Sequence, residues 1–151
     1  MLLIASDHGG LELKESIKAF LKIRRIEVCD LGTDNGDSVD YPDFGEKVGR
    51  AISRGEADRG ILVCGTGIGM SMVANKFPGV RAALVWDEYT ARMAKEHNNA
   101  NVIVMGGRVQ PAEKACKMVG VWLDAVFEGG RHQNRLDKIA QIEQDIRDGR
   151  I

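Results

Sequence analysis

The chain has 151 residues, 44% hydrophobic and 28% charged, with a formal net charge of −1, which suits one domain able to bury a core without staples. Balanced charge and only 5% aromatic residues argue against a basic stripe or stacking platform for nucleic acid, so the expected partner is a small molecule. Three cysteines (Cys29, Cys64, Cys116) without metal-ligand spacing fit a reducing compartment. No apolar run approaches the ~20 residues of a membrane span, and the opening stretch to Asp7 is not preceded by a basic region, so a cytoplasmic protein is expected.

Short apolar runs alternate with amphipathic segments along the whole chain, the pattern of repeated βα units around a parallel sheet. A first strand over Leu2–Ser6 runs into Asp7-His8-Gly9-Gly10. A helix follows, with Leu13, Ile17, Phe20 and Leu21 on one face. The second strand is placed at Ile26–Asp30, and Phe44, Val48, Ala51 and Ile52 share the apolar face of the next helix. A third strand, Gly60–Cys64, ends in the turn Gly65-Thr66-Gly67-Ile68-Gly69, which opens a helix near Met70. The fourth strand is Arg81–Trp86, followed by Asp87-Glu88 and a helix that reaches His97-Asn98. The fifth, Asn101–Met105, ends in Gly106-Gly107-Arg108. Ala115, Val119, Trp122, Leu123 and Val126 line a further helix. A last helix over 135–147 carries Leu136, Ile139, Ile142 and Ile146, and would cap its own domain or reach a second subunit. No repeat or linker interrupts the chain, which reads as a single domain over 1–151.

Cys64 at the glycine turn is the most informative feature. A helix start presents unpaired N–H donors and partial positive charge, suited to a phosphate, a thiolate or an enediolate oxygen, and thiols at such positions become better bases and nucleophiles. The bland alternative is a small buried hydrophobe that ends a core strand. Ligands of open parallel sheets bind beyond the carboxyl ends of the strands, where Asp7, His8, Cys64 and Arg108 fall. His97 breaks this pattern: it precedes the fifth strand, at the opposite end of the sheet, and so would serve another subunit's site. Arg131 and Arg135, four apart, would point one way across a helical turn and suit a phosphate, although a solvated charged face is the commoner outcome.

Rival chemistries fare poorly. A dinucleotide fingerprint with Asp87 as ribose-binding acid fails at its third glycine, which is Met70, and follows the wrong strand; a P-loop lacks its Gly-Lys-Ser/Thr. His8, His97 and His132 lie far apart without metal-binding spacing, so no metal and no cofactor is expected. A thiol-redox protein would need a second cysteine at Cys-x-x-Cys spacing.

Asp7-His8-Gly9-Gly10 with Lys14, Asp40-Tyr41-Pro42, Cys64 to Gly69 through Ala74-Asn75-Lys76, His97-Asn98, Gly106-Gly107-Arg108-Val109 and Glu128-Gly-Gly-Arg131-His-Gln-Asn-Arg135 together resemble the type B ribose-5-phosphate isomerases. This is the ribose/galactose isomerase family, which includes allose-6-phosphate and galactose-6-phosphate isomerases. The resemblance covers nearly the whole chain. It implies a three-layer α/β/α sandwich on a five-stranded parallel Rossmann-like sheet, with strand five beside strand three. It also implies a homodimer or dimer of dimers and metal-free interconversion of aldose and ketose phosphates.

On these positions, Cys64 matches the catalytic base. Thr66 and the amides of Gly65, Gly67, Ile68 and Gly69 would hold the developing oxyanion. His97 matches the ring-opening histidine, with Asn98 beside it, and Asp7 would orient sugar hydroxyls or the ring oxygen. His8, Arg131 and Arg135 match phosphate-binding positions, and Arg108 another substrate contact. The expected reaction is ribose 5-phosphate to ribulose 5-phosphate, with another sugar phosphate of six or four carbons, or a non-catalytic sensor, as alternatives.

Overall fold

The computed structural model describes residues 1–151. Five parallel strands, β1 (Leu2–Ser6), β2 (Cys29–Asp30), β3 (Arg59–Cys64), β4 (Ala82–Leu84) and β5 (Val102–Gly106), form one sheet in the order β2-β1-β3-β5-β4. Six helices intervene: α1 (Leu11–Ile23), α2 (Tyr41–Ser53), α3 (Ile68–Ala74), α4 (Glu88–Glu96), α5 (Ala112–Asp124) and α6 (Arg131–Arg147). A 3-10 turn over His8–Gly10 precedes α1. None of the helices is long and apolar enough to cross a membrane.

β1 and β5 are buried throughout, and β3 from Gly60 onward, because side chains alternate between two helix-covered faces. Leu2, Ile4, Ile61, Val63, Ile103 and Met105 face α1, α4 and α5, and their cluster takes in Trp122, fully buried with its indole N–H on the Ala100 carbonyl at 3.0 Å. Leu3, Ala5, Leu62, Cys64, Val102 and Val104 face α2 and α3. The expected three-layer sandwich is therefore the observed one.

The edge strands are shorter than their apolar runs. The expected Ile26–Asp30 shrinks to Cys29–Asp30, because Arg25 adopts a positive φ of 57° and Ile26 N–H turns back to the Leu21 carbonyl. The expected Arg81–Trp86 shrinks to Ala82–Leu84. On β4 the Asn75 side chain substitutes for a neighbouring strand: its Nδ2 donates to the Ala82 carbonyl and its Oδ1 accepts the Ala82 N–H, both at 2.9 Å. Such capping blunts an open sheet edge. Val126 falls beyond α5 and is 76% exposed, so it leaves the apolar face assigned to it. The last helix starts at Arg131, four residues before the expected boundary, behind Gly129 and Gly130, both at positive φ.

Lys14, on the inner face of α1, is wholly buried. Its ammonium donates to Asp30 Oδ1 and Oδ2 at 2.8 and 2.9 Å and to the Thr33 carbonyl. Burial alone would raise the Asp30 carboxyl, but hydrogen bonds from Lys14, Lys18 and the Gly32 N–H outweigh it and hold the group below its ordinary range. The network fastens the segment after β2 to α1, while backbone hydrogen bonds from Ser6 N–H to Gly32 O and from Thr33 N–H to Ser6 O hold it against the end of β1, where the candidate site begins.

Candidate active site

β3 delivers Cys64 to the carboxyl edge of the sheet with the thiol buried. The chain then reverses into α3 through Gly67, the N-cap, at φ 83° and ψ −17°, a left-handed conformation that favours glycine. Its N–H donates to Cys64 Sγ at 3.1 Å, which fixes the sulfur at the start of α3. Thr66 is exposed, and its Oγ1 accepts the Ile68 N–H at 3.3 Å.

Asp7, buried at the end of β1, caps the 3-10 turn by accepting the Gly10 N–H at 3.1 Å on Oδ1. His8 accepts the Val39 N–H on Nδ1 at 3.2 Å, so its proton resides on Nε2, which is left as a donor. Arg108, after β5, extends over both glycine turns: a Cβ built on Gly9 or Gly65 would lie 3.3 or 3.0 Å from its guanidinium nitrogens. Thus Asp7, His8, Gly65, Thr66, Gly67, Ile68, Gly69 and Arg108 gather around Cys64 at the carboxyl ends of β1, β3 and β5.

Tyr41 joins them, a residue to which sequence reasoning assigned no role. Its ring lies on Gly69, where a Cβ would stand 2.5 Å from Cζ, and it remains 38% exposed. The only signal was its place in Asp40-Tyr41-Pro42, where Pro42 marks the first turn of a helix. Asp87 has a purely local role: its carboxylate accepts the Thr90 N–H at 2.7 Å in a capping box, and this bond, with the Thr90 hydroxyl, holds its carboxyl below the ordinary range.

The remaining predicted residues lie at the other end. His97 is the C-cap of α4 and precedes β5, while Cys64 pairs with Gly106 at the far end of that strand. The two are separated along β5 by roughly 13–17 Å, at about 3.3 Å per residue. Within one chain the structure does not bring them together.

Around His97 stands a second group. Asn98 is exposed, and its carbonyl accepts from Arg81 Nε at 3.2 Å; the same guanidinium donates to Asn99 O at 3.1 and 2.9 Å. Burial lowers Arg81, against the opposing effect of Glu143, and burial followed by the charges of Arg59 and Arg81 lowers Lys95. Arg131 and Arg135, exposed on the first turns of α6, add two more cations at this end, which is suited to an anion.

His132, between those arginines, is 5% exposed, and its ring stacks on His97 with centroids 4.1 Å apart and planes 13° from parallel. Glu128 Oε2 lies 3.3 Å from His132 Nε2 and 3.9 Å from His97 Nε2. This trio was invisible in the sequence, where the histidines are distant. Its ligand atoms lie within 4.8 Å of one another. With the rings nearly parallel, however, no single ion can lie in both ring planes, as imidazole coordination requires.

Residues 2–139 match the family described as Ribose/Galactose Isomerase. The chain is 46% identical to ribose-5-phosphate isomerase B of Escherichia coli K12 over 138 residues, covering 91% of this chain and 93% of that one. Among solved structures, ribose-5-phosphate isomerase B of Clostridium thermocellum superposes with a TM-score of 0.94 at 52% identity, covering 96% of this chain and 98% of that one. That of Mycoplasma genitalium, with bound ribulose-5-phosphate, gives 0.92 at 46% identity, covering 95% and 96%. With a thiol, glycine turn, carboxylate and guanidinium gathered at one sheet edge on this fold, the chain belongs to the ribose/galactose isomerase family and is an aldose–ketose isomerase of sugar phosphates.

Proposed function

We propose that the chain interconverts ribose 5-phosphate and ribulose 5-phosphate, with Cys64 as the base, in a site completed by a second copy of itself. The observation that carries this reading is the division of the predicted residues between two ends of one sheet. Cys64 has the turn, Asp7, His8 and Arg108 beside it; His97 has Asn98, Arg131 and Arg135. A two-fold dimer that brings one end of each chain to the other end of its partner contains two whole sites.

Exposed apolar side chains at both ends support such an assembly: Ile68, Met72 and Trp86 near the turn, and Ile139, Ile142 and Ile146 on α6. The whole chain acts as one domain in this reading, and its three free thiols fit a reducing cytoplasm. The five-carbon substrate is favoured by the bound ribulose-5-phosphate of the Mycoplasma relative.

In the reaction, His97 opens the furanose. The Cys64 thiolate takes the proton from C2 of the open aldose and electrons move into an enediolate; the 2-hydroxyl proton passes to O1, and as the C2 carbonyl forms the thiol returns its proton to C1. The Gly67 N–H stays on the sulfur, and the Thr66 hydroxyl with the other amides of the Gly65 to Gly69 turn holds the developing oxyanion, where loss of one preorganised donor costs about 2.7–4 kcal/mol. His8 Nε2–H, Arg131 and Arg135 hold the phosphate and Arg108 a further substrate oxygen, while the Asp7 carboxylate orients hydroxyls. The chemistry draws on these side chains and needs no metal or cofactor.

Subunit mixing tests the shared site. Cys64→Ala and His97→Gln are each inactive on cyclic substrate, and random exchange between equal amounts restores about a quarter of the sites, because each mixed dimer has one intact site. Verified exchange without recovered activity refutes the shared site. Among four-, five- and six-carbon aldose phosphates, ribose 5-phosphate is expected to give the highest kcat/KM; a higher value for another refutes the substrate.

A further inference from the structure

His97 occupies an exposed turn at the end of α4, a poor place for a group that must meet a sugar oxygen at a defined angle. It is the C-cap, its side chain is 36% exposed, and two residues later Asn99 takes a positive φ of 43°. Nothing in α4 itself fixes the plane of the imidazole. Across the gap, α6 places His132 on its first turn, almost fully buried, with its ring face 4.1 Å from the His97 ring and 13° from parallel. The connection between α5 and α6 is tied to the same turn, since Glu128 N–H donates to the Glu96 carbonyl at 3.0 Å. The Glu128 carboxylate stands beside the Nε2 atoms of both histidines.

We propose that His132 is a positioning residue for ring opening: its buried flat face fixes the plane of His97, and thereby aims that imidazole at the sugar. This rests on the reading of His97 as the ring-opening group. In that step the C1–O4 bond breaks as C1=O1 forms, the anomeric hydroxyl loses its proton and O4 gains one, so the step is a net proton transfer without redox change. An acid–base group serves it only when correctly aimed, and a misplacement of about 1 Å costs on the order of 10²-fold. A stacked neighbour removes the rotation about χ2 that an imidazole on an exposed turn would otherwise retain. At 4.1 Å the two centroids lie just inside the usual aromatic separation of about 4.5–7 Å, so the rings are in close stacked contact.

The experiment separates ring opening from isomerisation. In a Cys64→Ala background the carbon-bound proton is not removed, but the furanose still opens and closes. Exchange between the α and β anomers of ribose 5-phosphate, measured by saturation transfer at C1, then reports on His97 alone. Above the enzyme-free rate, Cys64→Ala is expected to accelerate exchange and Cys64→Ala/His97→Gln to abolish that acceleration.

Two further changes at position 132, made in the same background, have similar bulk and differ in shape. His132→Phe keeps a flat ring and should retain the acceleration within about 3-fold; His132→Leu fills the space without a plane and should lose about 10- to 100-fold. Ribose 5-phosphate affinity, read by calorimetry, should stay within a few-fold for both. Equal rates for the phenylalanine and leucine variants overturn the positioning role, whether both are fast or both slow. If Cys64→Ala itself gives no acceleration, or His97→Gln does not reduce it, the ring-opening assignment of His97 falls and takes this proposal with it.

Discussion

Replacing Gly67 with alanine tests whether the turn is built around the sulfur. Gly67 has a φ of 83°, and a left-handed conformation costs an L-residue about 1–2 kcal/mol. A Cβ there would lie 2.6 Å from Leu84 Cδ1 and 2.9 Å from the Met105 carbonyl carbon. Leu84 can rotate, but the β5 backbone cannot yield without moving the centre of the sheet, so overpacking adds about 1–3 kcal/mol. The expected cost is therefore about 2–5 kcal/mol. Gly55, at φ 73° with nothing within 4 Å of a built Cβ, carries the conformational cost alone, and Gly55→Ala should cost about 1–2 kcal/mol. Urea unfolding with unchanged m-values gives both numbers. Because the Gly67 N–H donates to Cys64 Sγ at 3.1 Å, the displaced turn should also lower kcat by on the order of 10²-fold, whereas Gly55→Ala should leave it unchanged. If Gly67→Ala is no less stable than Gly55→Ala and turns over normally, the close fit of the turn against β5 has no energetic weight.

Cys64→Ala should abolish isomerisation while ribose 5-phosphate affinity stays within a few-fold, since it removes a proton acceptor and few ground-state contacts; wild-type turnover would refute the base. Arg131→Ala and Arg135→Ala should each weaken sugar-phosphate binding by about 1.5–3 kcal/mol and barely affect unphosphorylated sugars, as calorimetry would show. Asp30 titrates below its ordinary value in the folded chain, so its stabilising contribution is full above about pH 5. It is lost as pH falls through the usual carboxylate value near 3.9 toward the lower folded one. Asp30→Asn should therefore be less stable than wild type at neutral pH and show a smaller loss of stability between about pH 5 and 3.

Much of the fold was legible because burial on both faces leaves its mark on a strand. Leu2–Ser6 was placed to the residue, and β3 and β5 within one residue at either end, since central strands have apolar side chains on both sides. Edge strands have one partner and end where pairing ends, so the similar apolar runs at Ile26–Asp30 and Arg81–Trp86 overstated β2 and β4. The position of β5 beside β3 came from family resemblance, because alternating βα units do not encode strand order.

The glycine turn and its thiol were visible because a turn and the strand before it are local in sequence. So was the placement of His97 at the opposite end, which follows from parallel topology alone. What only the tertiary structure decided involves pairs distant in sequence. Lys14 is a buried cation because Asp30 meets it from β2; Tyr41 belongs to the turn because α2 packs on α3; His132 touches His97 because α6 returns to the end of α4. The physical reason is common to all three. A side chain's own chemistry and its helical or strand period reveal which face it occupies, but its partner is set by how whole elements pack, and that depends on every apolar contact in the core at once.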